Sequence, residues 1–145
     1  MTLADFESTY ALRREREVEL GEIDMLRHVN NVRYAVWAET IRSLYFADVL
    51  GRDIAGSTGM ILAKHELHYE SPVKYRERVI VGGRLLRFGT KSFDFETAAW
   101  SIAQERRVFR SLATLVAFDY DVERSIAVPD AWRAAARDFE LIAPA

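Results

Sequence analysis

The sequence predicts an α+β domain in which a five-stranded antiparallel sheet wraps around one long central helix, followed by a short C-terminal helix. Val32 to Leu50 contains no Pro or Gly and is followed by Gly51, as expected of a helix closed by a glycine. Four strand-like runs come after it with short turns, and turns of hairpin length require antiparallel neighbours. The chain of 145 residues is long enough for one well-buried domain, so we expect residues 1–145 to form a single domain.

The first strand is predicted within residues 11–20. Three glutamates, Glu15, Glu17 and Glu19, alternate there with other side chains at the two-residue period of a strand that has one face in water. Gly21 interrupts this alternation, so we expect the strand to end before it and the chain to enter a loop.

The central helix is predicted from Val32 to Leu50. Its apolar residues are spread around most of the circumference, which is typical of a helix buried on most sides. Asn30 or Asn31 can cap the first turn with a side-chain oxygen. The free N–H groups and the positive end of the helix dipole then point toward the preceding loop, where they can stabilise an oxyanion.

Four more strands are predicted after a loop at residues 52–59. Their ranges are 60–69, 78–87, 91–101 and 107–118. Gly82 and Gly83 interrupt the second of these runs, which suggests a bulge or a bend around the helix. The last run is apolar on both faces for most of its length, as expected for a central strand.

The C-terminal helix is predicted within residues 129–139, which are Ala-rich and begin with Pro129 and Asp130. A curled sheet of this kind leaves its edge strands without partners, and such edges are usually covered or paired. We therefore expect the protein to form a homodimer or a dimer of dimers.

Composition narrows the possible partners and location. The formal charge of −2, from 20 basic and 22 acidic residues, predicts neither a nucleic-acid partner nor an anionic membrane partner. The sequence has no cysteine, which excludes a disulfide and a thiolate nucleophile and is compatible with a reducing cytoplasm. Met1 to Tyr10 carries two acids and does not look like a signal peptide, and no apolar run approaches about 18 residues. We expect a cytoplasmic protein.

The loop before the central helix carries the best candidates for chemistry. Asp24 can attack a carbonyl carbon or deprotonate a water molecule, and His28 can orient it or protonate a leaving group. Asn30 and Asn31 are better suited to capping the helix and positioning water. Tyr34, one turn into the helix, is interpreted as a packing residue that can also line a pocket.

Other candidate residues favour structural roles. His65 and His68 point to opposite faces of a predicted strand, so they do not readily chelate one metal, and no metal site is predicted. His65 is interpreted as a core histidine with its hydrogen bonds satisfied, and Glu39 as a buried structural hydrogen-bonding residue. Gly56 to Gly59 contains Ser57 but is not a nucleophile elbow, which needs Gly-x-Ser-x-Gly between a strand and a helix.

The order of elements, together with Asp24, the run His28-Val29-Asn30-Asn31, Tyr34, Trp37 and Glu39, resembles the hotdog-fold thioesterases. The resemblance spans roughly residues 10–125 and is strongest to the 4-hydroxybenzoyl-CoA and acyl-CoA thioesterases and the related acyl-ACP thioesterases. It implies a hotdog fold and hydrolysis of an acyl-CoA or acyl-carrier-protein thioester to free acid and thiol. It also implies no cofactor other than the coenzyme A (CoA) of the substrate.

The resemblance implies roles for individual residues. An aspartate at the position of Asp24 is a general base or nucleophile in the acyl-CoA branch, and both Asp24 and His28 match the acyl-ACP arrangement. Backbone N–H groups near Asn31 and Val32 would then receive the oxyanion. The chain departs from the acyl-CoA branch at Arg27, where glycine is common, and at Asn31, where histidine is common. It departs from the acyl-ACP branch at Leu26, where asparagine is found.

A cluster of basic residues, Lys74, Arg76 and Arg78, is most simply a solvated turn. It can instead bind the phosphates of CoA or an acidic carrier protein through point charges. Two alternatives to a thioesterase stay open: a non-catalytic hotdog module that binds acyl thioesters, and a hotdog dehydratase in which His28 acts on a β-hydroxyacyl thioester. The sequence does not specify the acyl group or the carrier.

Overall fold

A computed structural model describes residues 1–51 and 56–145, so part of the loop predicted at residues 52–59 lies outside it. The helices are α1 (Leu3–Thr9), α2 (Asn31–Asp48) and α3 (Asp130–Phe139). The strands are β1 (Leu12–Glu17), β2 (Thr58–Tyr69), β3 (Arg78–Phe88), β4 (Ser92–Ser101), β5 (Arg106–Asp119) and β6 (Arg124–Ser125). Among the described residues, no helix combines the length and apolar character needed to cross a bilayer.

The strands form one antiparallel sheet in the order β1-β3-β4-β5-β2, and the short β6 pairs with β5. This confirms the predicted α+β class, the five main strands and both predicted helices. The strand β6 and the helix α1 were not predicted. Both edges of the five-strand path, β1 and β2, lack a neighbour on their outer side among the described residues.

The long helix α2 packs one face against the sheet, with Tyr34, Trp37, Ile41 and Tyr45 almost fully buried. Its opposite face is open in the single chain, where Val32 is 62% exposed. The prediction of burial on most sides is therefore wrong for the isolated chain. Glu39 is exposed as well, so its predicted buried hydrogen bond is wrong.

The glycine pair on β3 allows close packing on both faces of the sheet. A Cβ atom at Gly83 would lie 2.8 Å from the Phe95 ring and 3.2 Å from Ile41 of α2. At Gly82 it would lie 2.7 Å from the ring of Tyr10 on the outer face. Pairing with β4 is regular at both positions, and the register shifts only beyond Leu85. Of the two predicted alternatives, the bulge at the glycines is therefore wrong, and the bend around the helix stays a prediction.

The helix α1 lies on the outer face of β4. Thr2 caps it: the Thr2 hydroxyl accepts the Asp5 N–H at 3.2 Å, and Asp5 Oδ2 accepts the Thr2 N–H at 2.6 Å. Phe6 is fully buried, with its ring 5.9 Å from that of Trp100 and 4.7 Å from that of Tyr10. This contact explains why so short a helix is stable.

A buried carboxylate joins the end of α3 to the sheet. Glu140 Oε1 accepts the Leu85 N–H at 2.7 Å. The other carboxylate oxygen, Oε2, and the hydroxyl of Tyr45 are also buried, but neither makes a hydrogen bond of normal geometry within the described residues. Burial raises the pKa of Glu140 above its usual 4.5. The Glu140 carboxyl group therefore holds its proton more tightly in the folded protein than in the unfolded chain.

Because the pKa is higher in the folded state, Glu140 stabilises the fold below pH 4.5, and this contribution is lost as the pH rises through the folded value. Glutamine keeps an acceptor for Leu85 and carries no charge. We expect Glu140→Gln to raise the free energy of unfolding at pH 7 by about 1 kcal/mol. Urea denaturation at pH 7 and pH 4 measures this, with the exposed Glu7→Gln as the control. An equal loss of stability at both pH values would contradict the prediction.

Candidate active site

The loop between β1 and α2 ends in a tight hairpin, residues 23–29, which is closed by an antiparallel bridge between Ile23 and Val29. Asp24 begins the turn, and its N–H donates to the His28 carbonyl at 3.3 Å. Asp24 Oδ1 accepts the Leu26 N–H at 2.8 Å. The carboxylate is therefore oriented by its own turn. Its Oδ2 atom has no hydrogen bond or ion pair within the described residues.

Arg27 occupies the position in this turn that requires an unusual backbone conformation. Its φ angle is 65°, in the left-handed region that favours glycine, and its N–H donates to the Asp24 carbonyl at 3.0 Å. An arginine adopts this conformation at a cost of about 1 kcal/mol. Arg27 is therefore compatible with the turn that presents Asp24, although acyl-CoA thioesterases commonly have glycine at this position.

The start of α2 follows the hairpin directly. Asn30 is the cap residue, and its Oδ1 accepts the Val32 N–H at 2.9 Å, which selects one of the two predicted caps. This bond occupies the Val32 N–H and conflicts with its predicted oxyanion role. The Asn31 N–H meets no acceptor among the described residues. Of the two N–H groups predicted to bind the oxyanion, those of Asn31 and Val32, only the Asn31 N–H is therefore available to a ligand.

A cavity of about 320 Å³ lies beside the start of α2. It brings together three of the predicted site residues, His28, Asn31 and Tyr34. Asp24 is not among the residues that line it, although its N–H binds the His28 carbonyl across the turn. The remaining lining residues are Val29, Tyr69, Glu70, Ser71 and Pro72.

Tyr34 lies in an aromatic cluster as well as on the cavity wall. Its ring centroid is 4.8 Å from Trp37, 5.0 Å from Phe109 and 5.4 Å from Tyr69. Burial raises the pKa of Tyr34 to about 12, so its hydroxyl stays protonated at neutral pH. The predicted packing role is confirmed, and a role in binding the acyl group stays a prediction.

Sequence reasoning missed the part of this cavity that β2 supplies. Tyr69 ends β2, and its hydroxyl donates to the Asn31 carbonyl at 3.3 Å. Glu70 follows it and forms a two-pronged ion pair with Arg107, with 2.9 Å from Nε to Oε2 and from Nη2 to Oε1. Because this carboxylate is already paired, it is a weaker candidate for catalysis than Asp24.

The basic residues predicted to bind phosphate are not among the residues that line the cavity. Arg76 is 3.5 Å from Glu17 and Arg78 is 2.6 Å from Glu15, both on β1. Lys74 forms no ion pair within the described part of the chain. Two of the three charges are therefore already balanced, and a phosphate-binding role stays a prediction that is best supported for Lys74.

The remaining histidines do not form a metal site. His68 Nε2 lies 2.6 Å from Glu66 Oε1, whereas His65 Nε2 is buried without a hydrogen-bond partner among the described residues. The prediction that His65 is satisfied is therefore wrong, and burial together with the charge of Arg42 lowers its pKa. In residues 1–51 and 56–145, no three His, Asp or Glu side chains are arranged to hold a metal ion.

Comparison with known families places the chain. Residues 18–136, more than half of the sequence, match the family model described as the Thioesterase-like superfamily. The chain belongs to this superfamily. The match includes both the hairpin that carries Asp24 and the helix α2. None of the curated proteins compared matches the chain by sequence.

Solved structures share the fold of this thioesterase-like chain and confirm the predicted hotdog fold. A thioesterase-superfamily protein from Jannaschia sp. CCS1 is 26% identical, with a TM-score of 0.80 over 92% of this chain and 85% of that one. A Thermus thermophilus thioesterase complexed with coenzyme A and Zn is 24% identical, with a TM-score of 0.80 over 91% and 96% of the two chains. A 1,4-dihydroxy-2-naphthoyl-CoA thioesterase from Synechocystis is 14% identical, with a TM-score of 0.76 over 87% and 95%.

Proposed function

We propose that this member of the thioesterase-like superfamily hydrolyses an acyl thioester to a free acid and a thiol. The observation that carries the proposal is the placement of Asp24. Its carboxylate is partly buried and anchored through Oδ1 only, in a hairpin that runs directly into the capped start of α2. A carboxylate with one free oxygen, in a hairpin that leads into the positive end of a helix, suits the hydrolysis of a carbonyl compound.

In one form of the proposed reaction, Asp24 attacks the thioester carbon and the thiolate leaves, and water then hydrolyses the resulting acyl-aspartyl anhydride to the free acid. In the other form, Asp24 removes a proton from a water molecule that attacks the same carbon. The Leu26 N–H keeps the carboxylate oriented throughout. The Asn31 N–H, at the positive end of α2, donates to the carbonyl oxygen as it becomes negative. His28 lines the cavity beside the start of α2 and is the proposed donor of a proton to the leaving thiolate.

The substrate is proposed to be a CoA thioester in preference to a carrier-protein thioester. Two of the structurally similar proteins are linked to CoA. The Thermus thermophilus thioesterase was solved in complex with coenzyme A, and the Synechocystis protein is named as a 1,4-dihydroxy-2-naphthoyl-CoA thioesterase. Lys74 is the main proposed contact for the CoA phosphates, and Arg76 and Arg78, which already pair with Glu17 and Glu15, are proposed as secondary contacts. The aromatic wall formed by Tyr34 and Tyr69 suits an apolar or aromatic acyl group.

We also propose that the protein acts as a homodimer. The edge strand β2 exposes apolar side chains, with Ile61 39%, Leu62 43% and Tyr69 50% exposed, and α2 exposes Val32 and Val36. A second copy can cover these residues and pair with the free edge of β2. Sedimentation should give twice the chain mass of 16.7 kDa, or four times for a dimer of dimers. A monomer at micromolar concentration would contradict this proposal.

A substrate screen tests the proposed function. Purified protein is mixed with short, long and aromatic acyl-CoAs and with an acyl-carrier protein, and a thiol-trapping dye follows the release of thiol. We expect free acid and thiol in equal amounts from at least one CoA thioester. Binding without turnover would instead indicate a non-catalytic module, and hydration of an enoyl-CoA would indicate a dehydratase.

A further inference from the structure

Glu22 is a buried carboxylate that the proposed reaction does not use directly. It is 9% exposed and lies in the short 3-10 turn Leu20–Glu22 between β1 and the Asp24 hairpin. Its Oε1 accepts the indole N–H of Trp37 at 2.7 Å. Its Oε2 accepts Arg16 Nη2 at 2.7 Å and the Glu19 backbone N–H at 2.8 Å. One side chain therefore connects β1, α2 and its own turn.

The same residue also closes the Asp24 hairpin through its backbone. The Glu22 carbonyl accepts the N–H of Asn30, the cap residue of α2, at 2.8 Å. Residues 23–29 therefore start and end at positions that this bond holds together. The Arg16 guanidinium also lies 4.9 Å from the centre of the Trp37 ring, which makes Arg16, Glu22 and Trp37 a closed group.

We propose that Glu22 is a positioning residue that fixes the Asp24 hairpin relative to the first turn of α2. It acts through the backbone, because it contacts neither Asp24 Oδ2 nor the cavity beside His28. The inference rests on the proposed hydrolysis, in which Asp24 and the Asn31 N–H must act on one carbonyl group. Small displacements of such groups have large effects on rate because the reacting atoms must be aligned.

Two substitutions test this role. Gln at position 22 keeps the acceptor for Trp37 but replaces Oε2, which binds Arg16 and the Glu19 N–H, with a donor. Trp37→Phe removes one N–H and keeps the aromatic packing. We expect Glu22→Gln to lower kcat about tenfold and Trp37→Phe about threefold, with KM changed less than about twofold. The exposed Asp121→Asn is the control and should match wild type.

Amide hydrogen exchange supplies a measurement that does not depend on activity. In Glu22→Gln the Asn30 amide should exchange at least about tenfold faster, while the amides of β4 and β5 are unchanged. A purely stabilising residue would accelerate exchange throughout and leave the kcat of the folded fraction intact, which would overturn the inference. A wild-type kcat in both Glu22→Gln and Trp37→Phe, with both variants folded, would also overturn the inference. If wild type itself hydrolyses no thioester, the proposed function fails first and the positioning role fails with it.

Discussion

Asp24→Asn is expected to lower the turnover of the preferred acyl thioester by about 10²-fold or more. Asparagine keeps the Oδ1 atom that accepts the Leu26 N–H, so the turn is preserved. It removes the charge, and with it the ability to attack the carbonyl carbon or to accept a proton from water. The measurement is kcat from the release of thiol under saturating substrate.

Two controls separate loss of chemistry from loss of structure. The thermal unfolding temperature of Asp24→Asn should match that of wild type, because the substitution breaks no hydrogen bond or ion pair within the described residues. Asp48→Asn changes an exposed aspartate at the end of α2, 3.8 Å from Arg14, and should retain full turnover. Undiminished hydrolysis by Asp24→Asn would remove Asp24 from the reaction.

Glu96→Ala is expected to lower the free energy of unfolding by about 3 kcal/mol, the largest effect on stability that we predict. Glu96 is 5% exposed on the outer face of β4. Its Oε1 accepts the Tyr10 hydroxyl at 2.8 Å and Arg84 Nε at 2.9 Å, and its Oε2 accepts Arg110 Nε at 2.8 Å. Alanine leaves the largely buried Arg84 without its anionic partner.

The effect of Glu96→Ala should depend on pH. Burial opposes ionisation, but hydrogen bonds from Tyr10 and Arg110 and the charge of Arg84 outweigh it, so the pKa of Glu96 is lowered from its usual 4.5. A carboxylate with a lowered pKa stabilises the fold above the unfolded pKa, and this contribution is lost as the pH falls through the folded value. The difference between wild type and Glu96→Ala should therefore be largest at pH 7.

Urea denaturation at pH 7 and at pH 3 measures this difference. Tyr10→Phe is the matched comparison, because it removes one of the three donors and no charge, and we expect it to cost about 1 kcal/mol. A loss below about 1 kcal/mol for Glu96→Ala at pH 7 would show that the ion pairs only offset the cost of burying their charges.

The fold was largely predictable because its elements carry local patterns. The central helix is long and uninterrupted, and the main strands alternate clearly, so periodicity identifies them. The helix α1 was missed because it has seven residues and depends on the packing of Phe6 against Trp100. The bulge predicted at Gly82 and Gly83 is wrong because their small size serves packing with Tyr10 and α2, which neighbours in sequence do not reveal.

The site was predictable only where it is contiguous in sequence. His28, Asn31 and Tyr34 fall within one short stretch, and the structure brings them to one cavity. Tyr69 and Glu70 reach the same cavity from the end of β2, and only the register of β2 against β5 places them there. Pro72, which marks the end of a strand, was the one sequence signal near these two residues.

Glu22 illustrates a second limit of sequence reasoning. It follows a run of alternating glutamates and looks like another exposed acid. Its burial comes from Arg16 and Trp37, which lie on two different elements. A residue of this kind is recognised only when the fold has brought its partners together.

A crystal structure of Asp24→Asn with its acyl-CoA substrate bound tests the central claim most directly. We predict that the thioester oxygen lies about 3 Å from the Asn31 N–H and that the side chain at position 24 faces the carbonyl carbon. The larger groove between β1 and α2, lined by Trp37, Ile41 and Leu44, offers another place for the acyl group. A thioester held in that groove, with position 24 out of reach of its carbonyl carbon, would contradict the account.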